Sequence, residues 1–250
     1  MEIKVITIDF WNTLFNSDSG QVRNSARLKV LLDTLKDVGI NMDDDMFEVV
    51  MQKSWKYYND KWLNELRTPK ANEIINYIWE GMNYEKNEKA IKYVVDFFEN
   101  SILYFPPELQ KNALSALQSL SQKYKLAIIS DTGFSPGRVM SQMLEEIDIK
   151  KYFSAFSYSD ETGVAKPHPK AFDFVLKQLD CLPENALHIG DIERTDIEGA
   201  KKVGMKAIRY DGDPDSHLAY PKSEQSKADF IATDWNEIVN YFEKNADNEK

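Results

Sequence analysis

Carboxylates, a serine hydroxyl and a lysine follow the apolar segments of this sequence, and together they could transfer a phosphoryl group. Asp9 comes directly after Ile3–Ile8, a segment in which five of six residues are β-branched. Carboxylates that lie together repel one another unless a cation neutralises them, and Mg²⁺ suits oxygen ligands. A serine hydroxyl with backbone N–H groups could hold a phosphate oxygen, so these residue types predict phosphoryl transfer with an aspartate nucleophile. The polar residues that follow the later apolar segments are Ser130, Asp131, Asp160, Glu161, Lys166, Asp191 and Asp196.

These residues can meet only if the fold brings the ends of separate segments together. After Lys123, strand-length apolar segments alternate with amphipathic helical segments. This alternation predicts an α/β fold with a doubly wound parallel sheet, in which ligands bind at the carboxyl ends of the strands. The predicted strands are Ile3–Ile8, Leu126–Ile129, Phe153–Tyr158, Ala186–Ile189, Lys206–Tyr210 and Phe230–Ala232. The helices predicted among them are Ser135–Ile147, Pro169–Leu179, Asp196–Val203 and Trp235–Phe242, and the polar segment 211–227 is predicted to be a surface loop.

Between the first and second predicted strands the sequence shows only helical periodicity. The first helix would bury Leu28, Leu31, Leu32 and Leu35 on one face. A single strand before this block could not bury itself, so we predict a core of residues 1–15 and 106–250 with an inserted helical cap at 16–105. Most aromatic side chains of the cap are interpreted as filling its own interior. The predicted helices are Gln21–Val38, Asp43–Leu66, Thr68–Trp79 with Thr68 as N-cap and Pro69 as first helical residue, Asn87–Leu103 and Glu108–Gln122.

Composition restricts the possible partners and compartment. The 250 residues carry a net charge of −10, which argues against a nucleic-acid backbone as partner. The only cysteine, Cys181, rules out an internal disulfide and fits a reducing compartment. We find no pattern of a signal peptide or membrane span, so the sequence predicts a cytoplasmic protein that acts on a small molecule. The sequence does not indicate an oligomeric state.

Four ordered motifs give this sequence a resemblance to a known family. They are Asp9 with Thr13–Leu14, then Ser130, then Lys166–Pro167, and last His188–Asp191 with Asp196. In this order, at the ends of predicted strands, they resemble the motifs of the haloacid dehalogenase-like hydrolase superfamily. The position of the helical block matches the subclass whose cap is inserted after the first motif. The resemblance implies a Rossmann-like core and hydrolysis of a small phosphorylated metabolite.

The resemblance also implies roles for individual residues. Asp9 would be the nucleophile that forms an aspartyl-phosphate, and Lys166 would position the phosphoryl group against it. The magnesium ligands would be Asp9, Asp191 and the backbone carbonyl of Trp11, while Asp196 would bind the ion through water. The substrate-binding residues would be Ser130, Asp131, Asn12 and Thr13.

Trp11 departs from the pattern of the family. Phosphatases of this family carry a second aspartate at that position, which protonates the leaving group, and loss of such an acid costs about 10²–10⁴ in rate. A phosphatase could take the acid from Asp131, Asp160, Glu161 or a residue of the cap, or use a substrate with a good leaving group. The alternatives are a metal-independent dehalogenase with an aromatic residue at this position, a phosphonate-cleaving enzyme that uses a cap lysine, and a weakly active phosphate-binding protein. The cap lysines in question are Lys53, Lys56 and Lys61. We predict a Mg²⁺-dependent phosphatase, because the acidic pair Asp191 and Asp196 is present.

Overall fold

A single parallel sheet forms the centre of the molecule, in a computed structural model that describes residues 2–214 and 226–247. Its six strands lie in the order β3-β2-β1-β4-β5-β6, and every neighbouring pair is parallel. This order confirms the predicted doubly wound α/β fold. The strands are β1 (Val5–Ile8), β2 (Lys125–Ser130), β3 (Phe153–Tyr158), β4 (Ala186–Gly190), β5 (Lys206–Tyr210) and β6 (Phe230–Ala232).

The strand order reverses at the centre of the sheet. β1 lies between β2 and β4, so the chain winds towards one edge after β1 and towards the other after β3. A crevice opens outside the carboxyl ends of the strands at such a reversal, and ligands of this fold bind there. Asp9 follows β1 and Asp191 follows β4, so both carboxylates lie at this crevice.

Helices cover both faces of the sheet. These helices, with one short helical turn (α7), are α5 (Ala113–Leu120), α6 (Gly137–Glu146), α7 (Ser159–Thr162), α8 (Pro169–Gln178), α9 (Glu198–Val203) and α10 (Trp235–Asp247). The two faces are apolar and differ in the helices that pack on them. Ile6 and Ile8 belong to a cluster with side chains of α5, α6 and α10, whereas Val5 belongs to a cluster with side chains of α8 and α9.

Four helices inserted between β1 and α5 have a hydrophobic cluster of their own. They are α1 (Gly20–Asp37), α2 (Asp44–Asn64), α3 (Ala71–Gly81) and α4 (Glu88–Tyr104). Trp79 and Phe98 are among the largest side chains of this cluster. Asp43 and Asn87 accept hydrogen bonds from backbone N–H groups at the starts of α2 and α4, so both helices begin where the sequence predicts.

The buried face of α1 differs from the prediction. Leu28 is only half-buried and Leu32 is exposed, while Leu31 and Leu35 are buried as predicted. The buried stripe continues towards the start of α1 through Arg23 and Arg27, at the four-residue spacing that places side chains on one helix face. Hydrophobic periodicity predicted that the leucines are buried. It could not indicate the buried arginines, because it takes only apolar residues into account.

Both α3 and α5 begin later than predicted. α3 begins at Ala71 rather than at Pro69, and the Thr68 hydroxyl lies 2.5 Å from that of Ser159 in the core instead of capping the helix. α5 begins at Ala113 because Asn112 has a left-handed backbone, with φ of 64°. Of the predicted loop at 211–227, residues 215–225 lie outside the described residues. No helix in the described ranges is long and apolar enough to cross a membrane.

Candidate active site

A cavity of about 320 Å³ lies between the carboxyl ends of the strands and the inserted helices α1 and α2. We call its two sides the core wall and the cap wall. The core wall consists of Asp9, Trp11, Asn12, Asp131, Gly133, Phe134, Ser135, Lys166, Asp191, Ile192, Thr195 and Asp196. The cap wall consists of Arg23, Asn24, Arg27, Trp55, Tyr58 and Trp62.

Lys166 lies at the centre of the core wall and pairs with two carboxylates. Its Nζ donates to Oδ1 of Asp9, and it lies 2.6 Å from Oδ1 of Asp196. The lysine side chain is 2% exposed. Burial alone would lower the pKa of Lys166, but Asp196 and Asp9 raise it above its usual value. Lys166 therefore stays charged at any ordinary pH.

Asp196 is held by the groups around it. Its Oδ1 also lies 3.0 Å from Nε2 of His188, and its Oδ2 accepts from the Ile192 N–H at 3.1 Å and the Thr195 hydroxyl at 3.0 Å. Burial would raise the pKa of Asp196, but Lys166 and His188 keep it well below its usual value. Asp196 is therefore ionised and fixed in place.

Gly190 makes room for this arrangement. Asp196 belongs to a π-helical turn at Glu193–Ile197, which follows β4 closely. A Cβ atom at position 190 would meet Cγ and Cβ of Asp196 at a distance that real Cβ atoms do not reach. Only glycine fits here, so the predicted motif from Gly190 to Asp196 has a steric reason.

Asp9 and Asp191 are two buried carboxylates with one nearby lysine. Burial raises the pKa of Asp9 from 3.8 to about 7, with Lys166 opposing part of the rise. Burial and the neighbouring Asp9 raise the pKa of Asp191 well above its usual value. Oδ2 of Asp191 is buried and has no hydrogen-bond partner among the described residues. An oxygen-liganded cation would satisfy this oxygen and neutralise the pair, so the residues fit Mg²⁺.

The donor set for such a cation is small. In the described part of the chain, no three His, Cys, Asp or Glu side chains are grouped as a metal site. A cation here would therefore depend on two carboxylates together with backbone or substrate oxygens. Mg²⁺ fits this requirement, because it commonly binds one or two carboxylates along with substrate phosphates and water.

Two predicted hydroxyl groups lie behind the core wall. Ser130 and Thr13 do not line the cavity; each is fully buried and its hydroxyl has no partner within the described residues. Buried hydroxyls normally have a partner, and an anion that reached past the core wall would supply one for both. Asn12, between Trp11 and Thr13 in the sequence, has a left-handed backbone with φ of 57°, a conformation that asparagine tolerates. Asn12 itself lines the cavity.

Asp131 connects the two walls. One of its oxygens accepts from the indole N–H of Trp62 in the cap at 2.8 Å, and the other accepts from the backbone N–H of Lys166 at 2.9 Å. Burial raises the pKa of Asp131. Both oxygens already accept hydrogen bonds, so this aspartate holds the cap and the loop of Lys166 together.

The other acid and lysine candidates lie outside the cavity. Asp160 and Glu161 are not lining residues, and Asp160 instead accepts from the N–H of Gly137 at the start of α6, at 3.0 Å. The cap lysines Lys53, Lys56 and Lys61 do not line it either. Of the groups that sequence analysis named as substitutes for the missing acid, Asp131 alone reaches the cavity.

The cap wall contains the residues that sequence analysis missed. The guanidinium of Arg23 lies 5.3 Å from the ring centre of Trp11, and that of Arg27 lies 4.9 Å from the ring centre of Phe134. Cations attract the faces of aromatic rings at such distances. The signal in the sequence was the four-residue spacing of Arg23, Arg27, Leu31 and Leu35, which places both arginines on the buried face of α1.

Known proteins match this chain in sequence and in fold. The family model described as haloacid dehalogenase-like hydrolase matches residues 29–210. A glyceraldehyde 3-phosphate phosphatase of Pyrococcus furiosus is 26% identical over 99% of this chain and 96% of its own length. A phosphoglycolate phosphatase of Salmonella choleraesuis is 34% identical over 33% of this chain and 35% of its own length. The structure of a 2-haloacid dehalogenase from Pseudomonas syringae has the same fold, with a TM-score of 0.69 at 17% identity over 97% of this chain and 99% of that chain.

Proposed function

The chain belongs to the haloacid dehalogenase-like hydrolases, and we propose that it is a Mg²⁺-dependent phosphatase of a small phosphorylated metabolite. The observation that carries the proposal is the buried group of Asp9, Lys166 and Asp196 beside Asp191, whose Oδ2 has no partner among the described residues. Relatives named as phosphatases of glyceraldehyde 3-phosphate and phosphoglycolate support the substrate class. We further propose the predicted division into a core of residues 1–15 and 106–250 and a cap of residues 16–105.

In this proposal Asp9 attacks phosphorus. A bond forms between Asp9 Oδ and the phosphorus atom while the bond from phosphorus to the ester oxygen breaks, which leaves an aspartyl-phosphate and an alkoxide or phenoxide. Water then attacks the aspartyl-phosphate, releases phosphate and restores the carboxylate. Lys166 holds Asp9 in place and offers a positive charge next to the phosphoryl oxygens.

Further residues would hold the phosphoryl group and the metal. The unpaired hydroxyls of Ser130 and Thr13 would donate to phosphoryl oxygens, and Asn12 and Asp131 would line their binding site. Asp9, Asp191 and the backbone carbonyl of Trp11 would hold Mg²⁺, with Asp196 reaching the ion through water. When bound, the ion supplies charge neutralisation at the phosphoryl oxygens.

Trp11 leaves the leaving group without an aspartate beside the nucleophile. The ring of Trp11 lines the cavity and contacts Arg23. This substitution favours one alternative, a dehalogenase, because a departing halide needs no proton. The dehalogenase does not need the cation that Asp9 and Asp191 together require, so we place it second.

Hydrolysis of an aryl phosphate tests the proposal directly. We expect phosphate release in the presence of Mg²⁺, loss of this release with EDTA, and its abolition in Asp9→Asn. The matched control is Asp33→Asn, on the exposed face of α1, where the carboxylate pairs with Lys29. Halide release from 2-chloropropionate in EDTA, without phosphatase activity, would contradict the proposal and support the dehalogenase.

A further inference from the structure

Two arginines are buried in the cap wall without a carboxylate partner. Arg23 is 6% exposed and Arg27 is 7% exposed, and in the described part of the chain neither forms an ion pair. Burial lowers the pKa of both, that of Arg27 to about 9 with Arg23 contributing, and no carboxylate offsets this effect. The next arginine along the sequence, Arg67, differs in this respect, because it pairs with Glu65 and Glu73.

The hydrogen-bond partners of both arginines are neutral, and those of Arg23 leave part of its donor capacity free. Nε of Arg27 donates to the Ser101 hydroxyl at 2.8 Å, and Nη1 donates to Oδ1 of Asn24 at 3.0 Å. Its Nη2 makes long contacts, to the Ser135 hydroxyl at 3.4 Å and to the Phe98 carbonyl at 3.5 Å. Arg23 uses only Nη1, which donates to the Ser19 hydroxyl at 2.9 Å and to the Phe105 carbonyl at 2.8 Å. Nε and Nη2 of Arg23 have no acceptor among the described residues.

A buried charge without an ionic partner lowers the stability of the folded protein, so the burial of the two arginines needs a reason. Taking a guanidinium out of water costs several kcal/mol unless an anion compensates, roughly as for other buried ions. Arg23 joins the two ends of the cap, through Ser19 and Phe105, with only one of its nitrogens. This role does not explain why a second guanidinium, that of Arg27, is also buried. Both charges line the same cavity as the proposed nucleophile.

We propose that the substrate carries a second anionic group, a carboxylate or a second phosphate, which Arg23 binds with its free edge while Arg27 adds positive charge. The inference rests on the proposed function, because the first anionic group is the phosphoryl group held at the core wall. Guanidinium binds such planar or tetrahedral anions through two parallel N–H groups. Glyceraldehyde 3-phosphate has an uncharged aldehyde beyond its phosphate, so this chain would select a different substrate from the one named for its Pyrococcus relative.

Pairs of esters that differ only in charge test this inference. The substrates are phosphoryloxy carboxylates of increasing length, beginning with 2-phosphoglycolate, each compared with its uncharged carboxamide and with the bisphosphate of the same length. We expect kcat/KM to favour an anionic member over its carboxamide by about 10- to 100-fold, because hydrogen bonds to charged groups have this strength. Preference for the carboxylate or for the bisphosphate identifies which anion the site takes, and both outcomes support the inference.

Variants of the cap wall complete the test. Arg23→Met should reduce the ratio of kcat/KM for the anionic ester to that for its carboxamide by about tenfold or more, and Arg23→Lys should restore part of the ratio. Arg67→Met removes a cap arginine that has its own carboxylate partners, and it should leave the ratio unchanged. Equal kcat/KM for charged and uncharged esters in the unmodified protein would overturn this inference alone, whatever the variants do. No hydrolysis of any ester, aryl phosphate included, would overturn the proposed function and this inference with it.

Discussion

The two walls of the cavity differ in charge and in the way the chain supplies their residues. The core wall carries four carboxylates and one lysine, and each follows a strand or the loop after one. The cap wall carries two arginines and three aromatic residues, all from α1 and α2. In the proposed function the core wall performs the reaction and the cap wall contacts the rest of the substrate. On this proposal we expect reactivity and selectivity to be altered largely separately, with the contact between Trp62 and Asp131 as the point where the two walls are coupled.

The largest effect that we expect concerns the general acid for the leaving group, which neither wall supplies. Trp11 replaces the acid beside the nucleophile, and both oxygens of Asp131 already accept hydrogen bonds. We therefore expect kcat to fall by about 10²–10⁴ from an aryl phosphate with an acidic leaving group to an alkyl phosphate. Trp11→Phe keeps an aromatic ring and should leave this ratio unchanged. Similar kcat values for the two esters would reveal a general acid in one of the walls.

Lys166→Met would remove the single cation of the core wall. We expect kcat/KM for an aryl phosphate to drop by about 10²–10³, as when one electrostatic group of an active site is removed. Asp9 and Asp196 would also lose their buried partner, so the free energy of unfolding should fall by about 3–5 kcal/mol. Denaturant titration and steady-state kinetics measure the two effects.

Lys170→Met is the matched control for that variant. Lys170 lies on α8 and donates to the Thr162 carbonyl at 2.7 Å, without contact to the core wall. Its loss should change kcat/KM by less than about twofold, since surface substitutions have small effects. Normal activity in Lys166→Met would show that Asp9 needs no lysine, which contradicts the assigned role.

Trp62→Phe tests the contact between the walls. The variant keeps an aromatic side chain but removes the N–H that donates to Asp131. Asp131 also fixes the backbone of Lys166, so we expect kcat/KM to fall by about tenfold, the equivalent of one hydrogen bond. Trp55→Phe is the control, because Trp55 lines the same wall and its indole makes no hydrogen bond to the described residues. Equal losses in both variants would assign the effect to ring size rather than to the hydrogen bond.

The smallest effect that we expect is a pH dependence of the stability that bound Mg²⁺ adds to the folded protein. Burial raises the pKa of Asp9 from 3.8 to about 7, and that of Asp191 also rises. Because the folded-state pKa exceeds the unfolded value, the stability from Asp9 is present at low pH and is lost as pH rises towards 7. Mg²⁺ binds the ionised carboxylates, so the increase in Tm that it causes should grow with pH. Each kcal/mol that Mg²⁺ adds to the free energy of unfolding corresponds to about 2–4 °C in Tm.

Thermal melts with Mg²⁺ and with EDTA across this pH range measure the difference. In Asp191→Asn the increase in Tm caused by Mg²⁺ should shrink at every pH, whereas Asp33→Asn should behave as the unmodified protein. A stabilisation by Mg²⁺ that is constant or falls with rising pH would contradict binding to these two carboxylates.

The core wall could be predicted from the sequence because its residues are fixed by strands. A parallel strand buried on both faces is a short apolar segment, and the next polar residue must lie at the edge of the sheet. The residues predicted in this way line the cavity: they are Asp9, Asp131, Lys166, Asp191 and Asp196. It did not show that Ser130 and Thr13 lie behind the wall, since that depends on how each turn folds after its strand.

The arginines of the cap wall were not predicted, because the apolar pattern of α1 was used to choose its buried face and the four-residue spacing of the arginines was not. In α1 the apolar pattern favoured Leu28 and Leu32, whereas the structure buries Arg23 and Arg27. These arginines face a cavity with neutral polar neighbours, and an apolar pattern carries no information about such a site. The late start of α5 has a similar cause, since the left-handed backbone of Asn112 is one of several conformations open to asparagine.

The separate hydrophobic cluster of the cap has a consequence for how such a protein can diversify. The residues of that cluster do not overlap with those of the two clusters that cover the sheet. Sites that do not share partners change stability almost independently, so substitutions within the cap cluster should leave the packing on the sheet almost unchanged. Ile102 of α4 is an exception, because it belongs to a cluster that covers the sheet. On the proposed division, we expect new specificities to arise by exchange of the segment between Ser19 and Phe105, while the proposed catalytic residues of the core stay the same.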